Sequence, residues 1–244
     1  MERLHKFMAY CGIASRRKCE ELISQGMVKI NDQMVTKPGT LIEPKLDKIE
    51  VAGKVIRPPK KKIYLLLYKP PGVVTTLYDP QERRKVTDLI PRLKERVYPV
   101  GRLDYDSEGL LLLTNDGELS YFLTHPRYQV PKTYRVWVKG TPEFEKLNQI
   151  KQGMPLEDGS TLPAEIKVVK NINKKTTLLE ITVYEGRKRL IRRMCAQIGH
   201  PVLRLKRIRL GPLALASLKP GQWRFLTKKE IGSLWKMINL RLPY

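Results

Sequence analysis

Four consecutive leucines, Leu110 to Leu113, constrain this chain more than any other stretch. A strand turns successive side chains to opposite faces, so an unbroken apolar run of strand length needs cover on both. Asn115-Asp116-Gly117 follows and reads as a tight turn closing that strand. The block before it has another character. Gly101-Arg102-Leu103-Asp104-Tyr105-Asp106-Ser107-Glu108-Gly109 sets three acids and one arginine between two glycines. Carboxylates packed against so apolar a strand are costly to bury unless they are paired. The fold must therefore wrap a central strand and bring cations to its acidic entrance.

The chain has cations to spare. Lys and Arg number 47 against 24 Asp and Glu, a formal charge of +23 with a pI near 10.0. A field of that sign favours a polyanionic partner, with nucleic acid first among the candidates. The blander alternative is a basic surface that aids solubility or touches anionic lipid. The 244 residues allow one large or two ordinary domains. Cys11, Cys19 and Cys195 have no Cys-x-x-Cys spacing, and His5, His125 and His200 are scattered. Neither a disulfide framework nor a metal site is expected. The first residues lack the apolar stretch of a signal peptide. No window reaches the roughly 18 apolar residues of a membrane span. The expectation is a cytoplasmic, metal-free protein with no membrane contact.

In chain order, residues 1–57 read as a small unit. A short helix covers Arg3 to Tyr10. Ser15 then caps a second helix that opens with Arg16-Arg17-Lys18 and stops at Gly26. Val28–Ile30 and Gln33–Val35 flank Asn31-Asp32 as a hairpin, and Ile49–Val51 is a further strand. Residues 58–62, a Pro- and Lys-rich stretch, read as a stiff linker. Residues 63–244 form the larger unit. Ile63–Tyr68 is a buried strand closed by Lys69-Pro70-Pro71-Gly72. Val86–Ile90 is a short helix, and Lys132–Val138 alternates as a strand. Thr141-Pro142-Glu143 carries the signals of a helix start. Ala164–Val169 and Thr177–Tyr184 are strands. A basic helix opens at Glu185–Arg189 and runs to about Ile198, followed by a strand over Leu203–Leu210. Residues 185–210 hold nine Lys or Arg and one acid. Thr227-Lys228-Lys229-Glu230 is a capping box for the last helix. The fold class is α+β: a small N-terminal unit of helices and a hairpin, then a mostly antiparallel mixed sheet flanked by helices.

No Ser-His-Asp set, phosphate-cradling glycine loop or metal cluster competes with the acids of the 101–109 block. Asp104, Asp106 and Glu108 are the candidate nucleophiles or bases. A carboxylate alone can attack a glycosidic carbon or act as a general base. It must stay ionised in an apolar pocket, which calls for a buried cation, and the basic helix offers one. On spacing alone, Asp104 could equally cap a turn and pair with Arg102. Tyr134 could be an ordinary core aromatic, and Arg16-Arg17-Lys18 a solvated turn.

Two resemblances add to this reading. Residues 1–50, through Ser15–Ile23 and Gly26-Met27-Val28-Lys29-Ile30-Asn31, are similar to the S4 domain, an RNA-binding module. Gly101–Asp104 with Ser107–Gly117 resembles the signature of the Rsu/RluB-type pseudouridine synthases. Lys69–Gly72, Lys132-Thr133-Tyr134, Glu185–Met194 and Leu205–Gly211 follow in that family's order. The resemblance implies that Asp104 is the nucleophile, Tyr134 the aromatic that stacks on the base, Arg192 the cation paired with the aspartate, and Ile191 the aliphatic pocket wall. Arg102 joins the substrate-binding set. Where relatives often carry His-Gln or Arg-Gln, this chain has Arg189-Leu190. The implied activity is cofactor-free isomerisation of a uridine in ribosomal RNA, with the large-subunit branch the most similar. Arg16, Arg17, Lys18, Lys29, Arg187, Lys188 and Arg193 are the expected RNA-backbone contacts, and the charge favours a monomer. A non-catalytic S4-type ribosome-assembly factor is the main rival. A carboxylate glycosidase, which needs a second carboxyl about 5–9 Å away, is a weaker one.

Overall fold

In a computed structural model, residues 1–173 and 175–240 are described. Contacts divide the chain into two units: residues 1–62 with 115–117, and residues 63–114 with the chain from Glu118 onward. The first unit holds α1 (Leu4–Tyr10), α2 (Arg16–Ser24) and an antiparallel sheet. The sheet comprises β1 (Val28–Ile30), β2 (Gln33–Val35), β3 (Ile49–Val51) and β4 (Lys54–Val55), in the order β2-β1-β3-β4. Ser15 caps α2 as expected, its hydroxyl accepting from the Lys18 N–H at 3.2 Å. Leu4, Met8, Cys19, Ile23, Val28, Ile42 and Ile49 close a small core. Asn31 and Asp32 both take positive φ, as a two-residue hairpin turn requires.

The second unit is built on β5 (Tyr64–Lys69), β6 (Glu108–Thr114), β7 (Lys132–Lys139), β8 (Glu165–Asn173), β9 (Thr176–Val183), β10 (Val202–Leu210) and β11 (Trp223–Phe225). Their order across the sheet is β8-β9-β7-β10-β6-β5-β11. Two short strands, Tyr98–Pro99 and Leu213–Ala214, pair with β6 and β10 and bring the sheet to nine strands. All pairings are antiparallel except β6 with β10. Helices α3 (Gly117–Thr124), α4 (Phe144–Gln152), α5 (Leu190–Gln197) and α6 (Lys228–Asn239) complete the unit.

The leucine run explains why this sheet is sandwiched. Every residue of β6 is buried. Leu110 and Leu112 face the rear, where Leu119 and Leu123 of α3 and Leu234 and Ile238 of α6 cover them. Leu111 and Leu113 face the front with Leu65, Leu67, Val86, Leu89, Val97 and Leu103. Farther along the front, Val136, Leu179, Ile181 and Leu205 lie under Ile150 of α4 and Ile191 and Met194 of α5. Each such leucine contributes roughly 1.5–3 kcal/mol on burial. Gly109 admits the parallel neighbour: a Cβ there would lie 2.2 Å from the Arg207 carbonyl oxygen, and its φ is +109°.

Three local expectations shift. The turn expected over Asn115-Asp116-Gly117 is shorter by one residue, because Gly117 already opens α3. Thr141 is not the cap of α4, because Glu143 keeps extended backbone (ψ 157°) and the helix starts at Phe144. The basic helix begins at Leu190 rather than Glu185, since Arg189 takes a left-handed φ of 51° that no helix interior accepts. The capping box at Thr227 forms as expected, with Glu230 also held by Arg224 at 2.6 Å.

Candidate active site

The three acids before the leucine run have three different fates. Glu108, at the head of β6, faces the rear, accepts from the Tyr68 hydroxyl at 2.7 Å and pairs with Arg204. Burial pushes its carboxyl up, but the bonds from Arg204 and Tyr68 outweigh that and hold it below its ordinary value. Asp106 lies on the front with Arg192 Nη2 3.0 Å from Oδ2 and Arg189 Nη1 3.4 Å from Oδ1. The Asp104 carboxyl is half-buried and has no hydrogen bond or ion pair among the described residues.

The backbone around Asp104 is pinned from several sides. Lys69 ends β5 on the front, at the position that continues the buried alternation of Leu65 and Leu67, and is 0% exposed. Its ammonium donates to the carbonyls of Pro70 (3.0 Å), Asp104 (3.0 Å) and Ser107 (2.7 Å). Burial lowers the Lys69 pKa to about 8, against the raising effect of Asp106, Asp104 and Glu108. The Thr75 hydroxyl donates to the Leu103 carbonyl at 2.7 Å, and the Gly72 N–H donates to the Tyr105 carbonyl at 2.8 Å. The Ser107 N–H closes a turn on the Asp104 carbonyl at 3.1 Å. The Pro-Pro-Gly turn thus threads the end of one strand against the entrance of the next.

Tyr134 sits on the front of β7 at a register shift against β10, between Thr133 and Tyr134, and packs between the two front core clusters. Its cross-strand neighbour is Arg207. Arg207 is 2% exposed, donates through Nε to the Leu110 carbonyl at 2.7 Å, and buries Nη2 with no partner among the described residues. Ile191 is buried in the first turn of α5. Arg192 beside it also reaches the Asp106 carbonyl and the Ser107 hydroxyl at 3.3 and 3.4 Å. The expected Arg192–Asp104 pair is therefore absent, and Asp106 takes the arginine. Asp106, in the exposed part of the loop, lies within ion-pair reach of both Arg189 and Arg192, whereas Asp104 does not. Nor does Arg102 pair with Asp104: it is exposed and makes no polar contact among the described residues.

The expected RNA contacts divide. In the first unit Arg16, Arg17 and Lys29 are exposed and make no polar side-chain contact among the described residues, while Lys18 pairs with Glu21 at 2.7 Å. In the second unit Lys188 is exposed. Arg187 and Arg193 are instead drawn to Asp158 at 3.0 and 2.7 Å, and Arg187 also to Glu185 at 2.9 Å. Both are only partly exposed and hold the 158–159 turn to α5.

Lys69, Thr75 and Arg207 were given no role from the sequence, and Asp106, a candidate nucleophile or base there, is instead the partner of two arginines. Lys69 left one signal: a lysine in step with two buried leucines cannot be a surface charge. Thr75 left none, because its contact with Leu103 joins segments 28 positions apart.

Comparison with known proteins follows the same division of the chain. Residues 63–197 match the family described as RNA pseudouridylate synthase, and residues 2–48 match the S4 domain. A Bacillus subtilis (strain 168) protein named ribosomal large subunit pseudouridine synthase B is 47% identical over 236 residues, covering 96% of each chain. An uncharacterized RNA pseudouridine synthase of Aquifex aeolicus (strain VF5) is 46% identical over 240 residues, covering 98% of this chain and 96% of its own. A crystal structure of a pseudouridylate synthase is similar with a TM-score of 0.67 at 29% identity, covering 96% of this chain and 100% of that one.

Proposed function

This chain belongs to the RNA pseudouridylate synthase family, and from that premise we propose that it converts a uridine of large-subunit ribosomal RNA to pseudouridine with Asp104 as nucleophile. One observation carries the choice of Asp104. Of the three acids in the block, it alone keeps a carboxylate without a partner, inside a loop whose backbone is held on every side. Asp106 and Glu108 are committed to arginines. That also disfavours the glycosidase reading, which needs one of them as a free second carboxyl.

The uridine leaves its stack to reach Asp104. Tyr134 offers a ring face to the flipped base, a contact worth roughly 1–3 kcal/mol. Ile191 forms an apolar wall that keeps water out. Attack by the carboxylate at the base or at ribose C1′ leads to the same net exchange. The N1–C1′ bond breaks, the uracil turns, a C5–C1′ bond forms, the C5 proton is lost, and N1 gains one. Nothing is oxidised or reduced, so the proposed chemistry calls on no cofactor. Arg192, positioned by Asp106 and Ser107, supplies positive potential to the carboxylate and to the charge that develops during transfer.

The S4 unit contributes exposed Arg16, Arg17 and Lys29 as phosphate contacts. No described helix is long and apolar enough to cross a membrane. We assign the chain to the cytoplasm as a monomer, in keeping with a charge of +23 that sets copies against each other. The test is pseudouridine mapping of ribosomal RNA from cells lacking the protein, complemented with wild type or Asp104→Asn. One site should vanish and return only with wild type. Full restoration by Asp104→Asn would remove Asp104 from the nucleophile role, and no lost site would remove ribosomal RNA as the target.

A further inference from the structure

The rear face of the nine-stranded sheet is covered over only half its width. Helices α3 and α6 close it above β5 and β6. Above β8, β9, β7 and β10, Thr133 and Leu210 are buried, but the rear side chains of the two rows described next remain at least partly exposed. The register places these side chains in rows. Lys167, Glu180, Arg135 and Lys206 lie side by side across the four strands, and Lys170, Leu178, Trp137 and Arg204 form the next row. With about 4.8 Å between strands, each row runs about 14 Å. Five cations thus face Glu180 and a Glu108 already engaged by Arg204. The Arg204 guanidinium also stacks over the Trp137 ring at 4.7 Å, and the Lys206 ammonium over Tyr68 at 4.7 Å. Arg135, Lys167 and Lys170 are exposed and form no hydrogen bond or ion pair through their side chains among the described residues.

This pattern is unlike that of the front. On the front, cations meet acids of the same unit, as in Arg192 with Asp106 and Arg193 with Asp158. On the rear, five cations share Glu180 and Glu108, and the Arg204 guanidinium lies over the Trp137 ring at 4.7 Å. A row of cations beside a stacked Trp–Arg layer complements one strand of nucleic acid, with phosphates along the cations and an unpaired base on the layer.

We propose that the open half of the rear face is a second RNA-binding surface, which grips a single strand of the RNA remote from the uridine presented to Asp104. The sheet itself separates the two, so one RNA must wrap its edge to use both. The proposal rests on ribosomal RNA being the substrate and names a further part of that RNA as ligand.

The probe is in vitro transcribed large-subunit ribosomal RNA, titrated with the full chain across a range of salt. The variant is Arg135→Gln with Lys167→Gln and Lys170→Gln, three exposed positions whose change leaves the Glu108–Arg204 pair intact. Its affinity at about 0.1 M salt should fall at least about tenfold, and its log K against log salt slope should flatten by about two to three. Trp137→Ala should weaken binding about fivefold or more with little change in slope. Ultraviolet crosslinking of the wild-type complex should place RNA on peptides containing Trp137 or Lys167–Lys170. Thermal melting near wild type confirms that both variants fold. An unchanged affinity and slope in the triple variant, or loss of binding to anionic vesicles without loss of RNA binding, overturns the proposal. Pseudouridine formation on the same transcript is read separately. If wild type forms product while the triple variant binds equally well, the rear surface falls and the enzymatic reading stands. If the triple variant loses affinity but wild type forms no product, the rear surface stands and the enzymatic reading falls.

Discussion

The loop around Asp104 and the helix start at Arg16–Lys18 treat charge in opposite ways. Around Asp104, nearly every polar group is engaged by the protein itself. Lys69 holds three carbonyls, Thr75 holds Leu103, and Asp106 holds two arginines. One carboxylate is left over, and its position is dictated by all the rest. At the start of α2, Ser15 caps the helix while Arg16 and Arg17 are exposed and pair with no acid among the described residues. The first arrangement suits bond-making, where an error of an ångström is costly. The second suits attraction to a phosphate chain, where long range and adaptable side chains matter more. The contrast predicts that changes in the loop act on rate and stability, and changes at the helix start act on affinity and its salt dependence.

The largest effect after loss of Asp104 itself should come from Lys69→Met. The change keeps the volume but strands three carbonyls, each costing about 1–3 kcal/mol when buried without a partner. Part of that is offset, because a buried ammonium is itself costly. A net loss near 3 kcal/mol by denaturant unfolding, with kcat down about a hundredfold, is expected. A stable variant with normal kcat would show that the loop needs no clamp. The pH dependence sharpens the same point. The Lys69 pKa is lowered to about 8 in the fold, so between about 8 and its ordinary 10.5 the unfolded chain binds more protons than the folded one. The Lys69 contribution to stability therefore rises with pH across that window. Activity should move the other way, since a neutral amine has two hydrogens for three carbonyls. A falling kcat above about pH 8, with unfolding free energy of wild type rising relative to Lys69→Met, is the expected pair of curves.

These contacts also show how far the amino-acid sequence could be read. The leucine run announced a strand buried on both faces, and Ser15, Thr227 and Asn31-Asp32 announced caps and a turn, because each is a local rule. The acidic block announced that cations must converge on it. Which cation meets which acid was not local. Arg192 was expected on Asp104, but Asp106, 86 positions before it, takes the arginine. Arg187 and Arg193 likewise looked like part of a basic surface until a single distant aspartate engaged both. Lys69 lay in plain view beside Pro-Pro-Gly, where a lysine reads as a turn charge. Only its step with Leu65 and Leu67 betrays burial.

Asp106→Asn should have a middling effect. The amide still accepts a hydrogen bond, so Arg192 keeps a partner but not an opposite charge, and the guanidinium is held less firmly. A fall in kcat of about tenfold, or about 1.4 kcal/mol of barrier, is expected, with RNA affinity unchanged or slightly tighter because a negative charge has gone. A fall in affinity with unchanged kcat in stopped-flow single turnovers would make Asp106 part of the RNA grip and erase the distinction drawn for the loop.

The smallest effect should come from the other side of the comparison. Arg16→Gln with Arg17→Gln removes two solvent-facing charges and leaves the Ser15 cap in place, so the unfolding free energy should hold within the roughly 0.5 kcal/mol typical of surface changes. Affinity for ribosomal RNA should drop a few-fold at about 0.1 M salt, and the salt slope should flatten by about one to two, as expected when one or two phosphates lose their counter-charge. A matched loss at every salt concentration, with the slope intact, would mean that these arginines make a specific hydrogen-bonded contact instead. The helix start would then resemble the Asp104 loop, with its geometry as well as its charge set by the fold.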